Sequence, residues 1–218
     1  MKKTVILISA KLQSGKNQLA SYIKEELASK SFAVSSESYA KALKAQCTED
    51  FGRLWGFLEG KRQELLALGT VPPELISWMS VKPENLQEDK TDLTRLMLQI
   101  YGTEIFRNRV DGDYWVKKCV DSVNLSKSDF VMITDVRYPN EVEAFLDWAK
   151  DRSGMRRVVL VRVERPGYVR DENDPAHKHP SESALDEFPC WDYVVDNVGT
   201  LEDLRSSAQA IVSELVGA

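Results

Sequence analysis

The stretch Val5-Ile6-Leu7-Ile8-Ser9-Ala10-Lys11-Leu12-Gln13-Ser14-Gly15-Lys16-Asn17 decides the fold. Residues 5–9 are apolar without alternation, the pattern of a strand buried on both faces of a parallel sheet. A loop of small and polar residues comes next and ends in Gly15-Lys16, where a helix begins. Strand, loop, glycine–lysine and helix in that order lay out a cradle for nucleotide phosphates. Backbone N–H groups and a lysine face the anion there, and the helix N-terminus adds partial positive charge. Two positions depart from the usual pattern. Ala10 stands where a first glycine is expected, and Asn17 where a Ser or Thr hydroxyl would reach Mg²⁺. Alanine adds only a methyl and suits the position if no positive φ is needed. Asn17 offers a carbonyl oxygen to Mg²⁺ or to a metal-bound water. The plain alternative is a strand–turn–helix with a capping glycine.

Beyond the loop, residues 16–29 read as a helix with Leu19, Tyr22, Ile23 and Leu27 on one face. A weaker strand at 32–38 and a helix at 39–50 come after it. From 51 to 90 the periodicity fades around Pro72-Pro73, with Trp55 and Trp78 supplying bulk. This reads as a helical insertion, which with the helices that follow covers about 51–125. Helices at 92–101 and 113–123, a strand at 130–134 and a helix at 140–150 come next. A valine-rich strand at 157–164 precedes a polar excursion at 165–188. A short strand at 193–196 and an amphipathic helix at 201–216 close the chain. Strands alternating with helices predict an α/β fold: one three-layer domain over 1–218 with a parallel central sheet.

Composition narrows the function. The 218 residues are 43% hydrophobic and 29% charged, as in an ordinary globular protein, and the formal net charge of −5 argues against long nucleic acid as a partner. The three cysteines, Cys47, Cys119 and Cys190, form no CxxC pair and no Cys/His metal spacing, which favours reduced thiols. No apolar run reaches the length of a membrane span, and the start Met1-Lys2-Lys3 lacks the rest of a leader. A cytoplasmic location with no membrane partner is expected.

Three further groups carry chemistry. Asp135-Val136-Arg137 closes a core strand, where open α/β sheets bind ligands. There Asp135 would orient a metal-bound water or a substrate group, and Arg137 would grip an anionic oxygen. Alternatively Asp135 caps a helix and Arg137 pairs with Glu141. Arg95 and Gln99 stand one turn apart, a pairing that suits a phosphate or a base edge. Gly102 is expected to end that helix and Thr103 to start the next, while Trp115 reads as core before it reads as a stacking surface. The 165–188 excursion carries Arg165, Arg170, both histidines (His177 and His179) and Ser181-Glu182, with Ser181 as the N-cap of a helix through Leu185. It reads either as a surface loop or as a lid bringing arginine to a transferring phosphoryl group.

These features, in this order, resemble the deoxynucleoside monophosphate kinases of bacteriophages, which have the P-loop nucleoside monophosphate kinase fold. The resemblance also rests on Tyr39-Ala40-Lys41-Ala42-Leu43-Lys44, Tyr114-Trp115-Val116, Arg165-Pro166-Gly167, His179-Pro180-Ser181-Glu182, Asp196-Asn197 and Gly199-Thr200. It implies that Gln13, Ser14, Gly15, Lys16, Asn17 and Gln18 hold the phosphates of ATP, with Asn197 near its adenine. It implies that Tyr39, Lys44, Arg95, Gln99, Gly102, Trp115, Asp135, Arg137 and Glu141 meet the deoxynucleotide. Lys16, Arg137 and Arg165 would then serve catalysis, and Asn17 and Asp135 would be weak ligands of Mg²⁺. The implied partner is a small deoxynucleotide, bound by a monomer or homodimer. Ala10, Asn17 and Gln18 depart from the family loop, and Leu12 and Gln13 replace residues that are often basic. Two alternatives stand beside this reading. One is a same-fold kinase with another acceptor, similar to dephospho-coenzyme A kinase or phosphomevalonate kinase. The other is a P-loop nucleotide-binding protein without turnover.

Overall fold

A computed structural model describes residues 3–60, 67, 82–88, 91–150, 155–168 and 180–217. Pro72-Pro73, Trp78, Arg170, His177 and His179 lie outside the described residues. By internal contacts the chain forms two compact units, one of residues 1–39 with 116–218 and one of residues 40–115.

The first unit is built on five strands: β1 (Lys3–Ala10), β2 (Val34–Glu37), β3 (Phe130–Val136), β4 (Arg156–Glu164) and β5 (Tyr193–Asp196). They pair in the order β2-β3-β1-β4-β5, every pair parallel. The continuous apolar run of β1 is explained by its central place. Ile6, Ile8 and Ala10 point to one face, against Leu19, Ile23 and Leu27 of α1 (Lys16–Ser29) and Ala208, Ile211 and Val212 of α7 (Leu201–Gly217). Val5 and Leu7 point to the other, against Val123 of α5 (Tyr114–Leu125) and Val142, Phe145 and Trp148 of α6 (Pro139–Lys150). Each fully buried Val, Leu, Ile or Phe among them contributes about 1.5–3 kcal/mol. The result is the expected three-layer α/β arrangement.

Strand order positions the site. From β1 the chain leaves over one face through α1 towards β2, and from β3 it leaves over the other through α6 towards β4. The carboxyl ends of β1 and β3 therefore open a crevice at a topological switch point. A bulge sharpens it. Leu7 pairs with Ile133 but Ser9 with Val136, so β3 spends one extra residue at Thr134-Asp135. Such a bulge re-aims a side chain at the end of a strand.

The 40–115 unit is helical. It contains most of α2 (Tyr39–Gly60), then α3 (Asn85–Glu88), α4 (Asp92–Gln99) and a π-helical stretch, Ile100–Arg107. Cys47, Leu86 and Met97 form its core, with Phe51, Leu93, Leu98 and Tyr101 packed on them. Thr91 caps α4, its hydroxyl accepting from the Thr94 N–H at 3.2 Å.

Several boundaries differ from the sequence reading, among them that of β3, which runs on through Asp135 to Val136. The strand at 32–38 shortens to Val34–Glu37, and the helix at 39–50 continues to Gly60. The helix from 92 does not stop at Gly102: it widens into π-helix and runs on to Arg107. Packing explains this, because Gly102 is buried and a Cβ there would sit 2.9 Å from Leu43 Cδ1. Finally, Ser181 lies within a single 3₁₀ turn, Pro180–Glu182, and not at the head of a helix.

Candidate functional site

The Ser9–Asn17 loop is shaped by two left-handed residues, Gln13 (φ 61) and Gly15 (φ 90). The Ser14 N–H donates to the Lys11 carbonyl at 3.3 Å. Gly15 precedes α1, its carbonyl accepting from the N–H groups of Gln18 and Leu19 at 3.1 Å each. Glycine is required there twice. Its φ disfavours a side chain, and a Cβ would fall 2.3 Å from Asn197 Nδ2. That amide donates to the Ser14 carbonyl at 3.0 Å, and the Asn197 N–H is anchored on the Glu164 carbonyl at 2.7 Å. Asn197 thus braces the loop from the end of β5.

Residues 10–18 and Arg137 line an open cavity of ≈ 480 Å³ at the start of α1. Lys16 lies half-buried in this region. Burial first, and the Arg137 guanidinium second, push its ammonium down to about 8, against the opposing pull of Asp135, Glu182 and Glu141. Two cations and a helix N-terminus around one cavity form an anion receptor.

The corner between β3 and α6 is fixed by carboxylates. Glu141 is buried and accepts the N–H groups of Arg137 at 2.7 Å and Tyr138 at 3.1 Å, the reach-back of a capping box. Arg137 therefore meets Glu141 through its backbone, while its guanidinium turns to Glu182 and towards Ser181 Oγ at 3.5 Å. Asp135 Oδ1 accepts the Tyr39 N–H at 3.2 Å and so caps α2. The Tyr39 hydroxyl donates to the Glu141 carbonyl at 3.2 Å, and burial followed by the Glu141 charge drives its pKa far up, so it stays a neutral donor.

On the side of the polar excursion, Arg165 donates to the Gln13 carbonyl at 3.1 Å and stacks on Tyr168, whose hydroxyl bonds the Gln13 amide. Arg162 and Asp186, in the same region, carried no role in the sequence reading, and Glu182 none beyond its place in the polar excursion. Glu182, 6% exposed, accepts the Leu12 N–H at 2.7 Å as well as the Arg137 guanidinium. Arg162 is buried in β4, donating to Ser9 Oγ at 3.1 Å and to Asp186 at 2.9 Å, and Asp186 also pairs with Lys11 at 2.5 Å. The available signal was Arg162 itself, one charge at an inward position of a valine-rich strand.

Gln13, Ser14, Gly15, Lys16, Asn17, Gln18, Asn197, Asp135, Arg137, Glu141, Tyr39 and Arg165 all belong to the first unit, around the carboxyl edge of its sheet. Lys44, Arg95, Gln99, Gly102 and Trp115 belong to the 40–115 unit. Lys44 is in α2, Arg95 and an exposed Gln99 in α4. Trp115 is 4% exposed, packed with Phe106 and Tyr114, and its indole N–H donates to the Gly102 carbonyl at 2.9 Å. Among the described residues no cluster of three His, Cys, Asp or Glu side chains is placed to hold a metal ion, and no helix is long and apolar enough to cross a membrane.

A parallel α/β sheet with a glycine–lysine loop and an arginine at its switch point defines the class: α/β proteins whose first loop is suited to an anion. Within that class, a family model described as deoxynucleotide monophosphate kinase matches residues 74–208, and the chain belongs to this family. It is 30% identical over 140 residues to the deoxynucleoside-5′-monophosphate kinase of Escherichia phage T5, covering 63% of this chain and 48% of that protein. It is 29% identical over 147 residues to the deoxynucleotide monophosphate kinase of Escherichia phage RB69, covering 62% of this chain and 54% of that protein. The chain thus spans about half the length of the curated relatives it matches. The family match begins beyond residues 9–17, so the loop is read from its own geometry.

Proposed function

We propose that the chain transfers the γ-phosphoryl group of ATP to the 5′-phosphate of a deoxynucleoside monophosphate, giving the diphosphate and ADP. Family membership supports the acceptor class. The observation that carries the donor site is the half-buried Lys16 beside Arg137 in a cavity walled by the loop. The donor set fits a polyphosphate: a lysine, an arginine, the loop backbone and a helix N-terminus.

An oxygen of the acceptor phosphate attacks the γ-phosphorus in line. The new O–P bond forms as the bond to the β,γ-bridging oxygen breaks, and ADP leaves with that electron pair. The acceptor is already anionic at neutral pH, so no strong general base is needed. Lys16 neutralises charge on the donor phosphates, Arg137 aligns the transferring group, and Arg165 at the edge of the loop shields it from water. Asp135 and Asn17 would hold Mg²⁺ through its water shell, where the ion adds charge neutralisation across the donor phosphates.

The test is ADP release measured over a panel of nucleoside monophosphates and non-nucleotide phosphate acceptors. Turnover with at least one deoxynucleotide is expected, and Lys16→Ala should lose it while keeping the fold. Full activity in Lys16→Ala, or turnover only with a non-nucleotide acceptor, would overturn the assignment.

A further inference from the structure

Glu182 is a buried carboxylate that the proposed phosphoryl transfer does not use. It stands on the 3₁₀ turn Pro180–Glu182, away in sequence from both groups it touches. One oxygen, Oε2, takes the Leu12 N–H at 2.7 Å, and the other, Oε1, takes Arg137 Nη1. Its side chain is 5% exposed, against 28% for that of Arg137. A carboxylate so placed costs desolvation unless each oxygen is satisfied, and here both are. The two groups it joins are the outer limb of the phosphate loop and the arginine that lines the loop cavity.

An unbraced arginine samples many rotamers, and its planar fork is useful only if aimed. Glu182 holds Nη1 of that fork beside the loop cavity that Arg137 lines. It also fixes the distance between Arg137 and the loop, since a single carboxylate spans both. Its negative charge works in the opposite sense, because a bare carboxylate beside an anion site repels the ligand. The two effects differ in sign.

We infer that Glu182 is a positioning residue, which bridges the phosphate loop at Leu12 to Arg137 and aims that guanidinium at the bound phosphates. The inference rests on the kinase reading for its turnover arm alone. It is tested with a cycle of wild type, Glu182→Gln, Arg137→Ala and the double variant. Each is measured on kcat/KM for a deoxynucleotide, and separately on Kd for inorganic tripolyphosphate by calorimetry. With Arg137 present, Glu182→Gln should weaken tripolyphosphate binding roughly tenfold and lower kcat/KM about tenfold to a hundredfold, mainly through kcat. With Arg137→Ala as background, the same change should weaken neither.

Glu182→Asp is the second variant: it keeps the charge but is one methylene too short to span both partners. It too should weaken binding, whereas a purely electrostatic role leaves it unchanged. Melting temperatures report whether each variant is folded. Tighter tripolyphosphate binding in Glu182→Gln, or an equal loss in both backgrounds, would overturn the positioning role. A folded wild type that binds tripolyphosphate but phosphorylates no deoxynucleotide would remove the kinase reading and leave the binding arm to decide the brace. Failure of the wild type to bind tripolyphosphate would overturn both.

Discussion

Lys16 links the structure to a measurable pH dependence. Its folded pKa of about 8 lies below the ordinary lysine value of 10.5, through burial first and the Arg137 charge second. The folded state therefore resists the charged form. Below pH 8 the ammonium is charged in both states and the full cost to stability is present. The cost fades as pH rises from 8 towards 10.5, and above that Lys16 is neutral in both. A Lys16→Met variant should accordingly melt higher than wild type at pH 6–7, by up to a few kcal/mol at about 1.4 kcal/mol per tenfold change in proton affinity. The two should converge above pH 10.5; a difference that grows with pH would contradict this account. Gly15 makes a second prediction. Gly15→Ala meets both a φ of 90 and an Asn197 contact of 2.3 Å, so the loop must distort, and tripolyphosphate affinity should fall at least tenfold on titration, consistent with strain of about 1–3 kcal/mol. Gly15 and Lys16 were legible in the sequence because the motif is local. Glu182 was not, since nothing near Pro180 signals that its carboxylate bridges Leu12 and Arg137.

Regular elements declared themselves wherever periodicity was set by burial. The β1 run reads correctly because both its faces are covered, and α1 and α7 because each buries one stripe. Elements shaped by a specific contact were hidden. The π-helical widening at Ile100–Arg107 depends on Leu43 filling the space beside Gly102 and on Trp115 bonding the Gly102 carbonyl. Neither partner is near in sequence, so a glycine after an amphipathic stripe looked like a stop. The bulge at Thr134-Asp135 is likewise set by pairing with β1. Gly102→Ala should therefore destabilise through overpacking rather than through helix propensity, which alone would favour alanine. We expect a loss of about 1–3 kcal/mol in denaturant unfolding, and Leu43→Ala in the same chain should recover part of it. A Gly102→Ala variant more stable than wild type would show that propensity, not packing, governs the stretch.

At the scale of the molecule, the order of elements carried the α/β architecture, because alternating strands and helices leave few topologies open. The division into units was less visible, for residues 40–115 form their own core without an alternating pattern to announce it. Among the described residues that core, centred on Cys47, Leu86 and Met97, shares no residue with the two clusters that sandwich the sheet. Separate cores lead to separate responses to cavity formation. Leu86 and Phe145 are both 0% exposed, one in each unit. Truncating either to alanine removes buried apolar contacts and leaves a cavity, at about 2–5 kcal/mol for Leu86→Ala and 3–5 kcal/mol for Phe145→Ala. Native-state hydrogen exchange reads each unit through its own amides. Leu86→Ala should lower protection in α2 and α4 by the full amount while changing β1, β3 and β4 by less than about 1 kcal/mol. Phe145→Ala should lower protection across the sheet first. Equal losses in both sets of amides from Leu86→Ala would mean that the chain unfolds as one cooperative body, with the helical unit contributing directly to the stability of the sheet that carries the glycine–lysine loop.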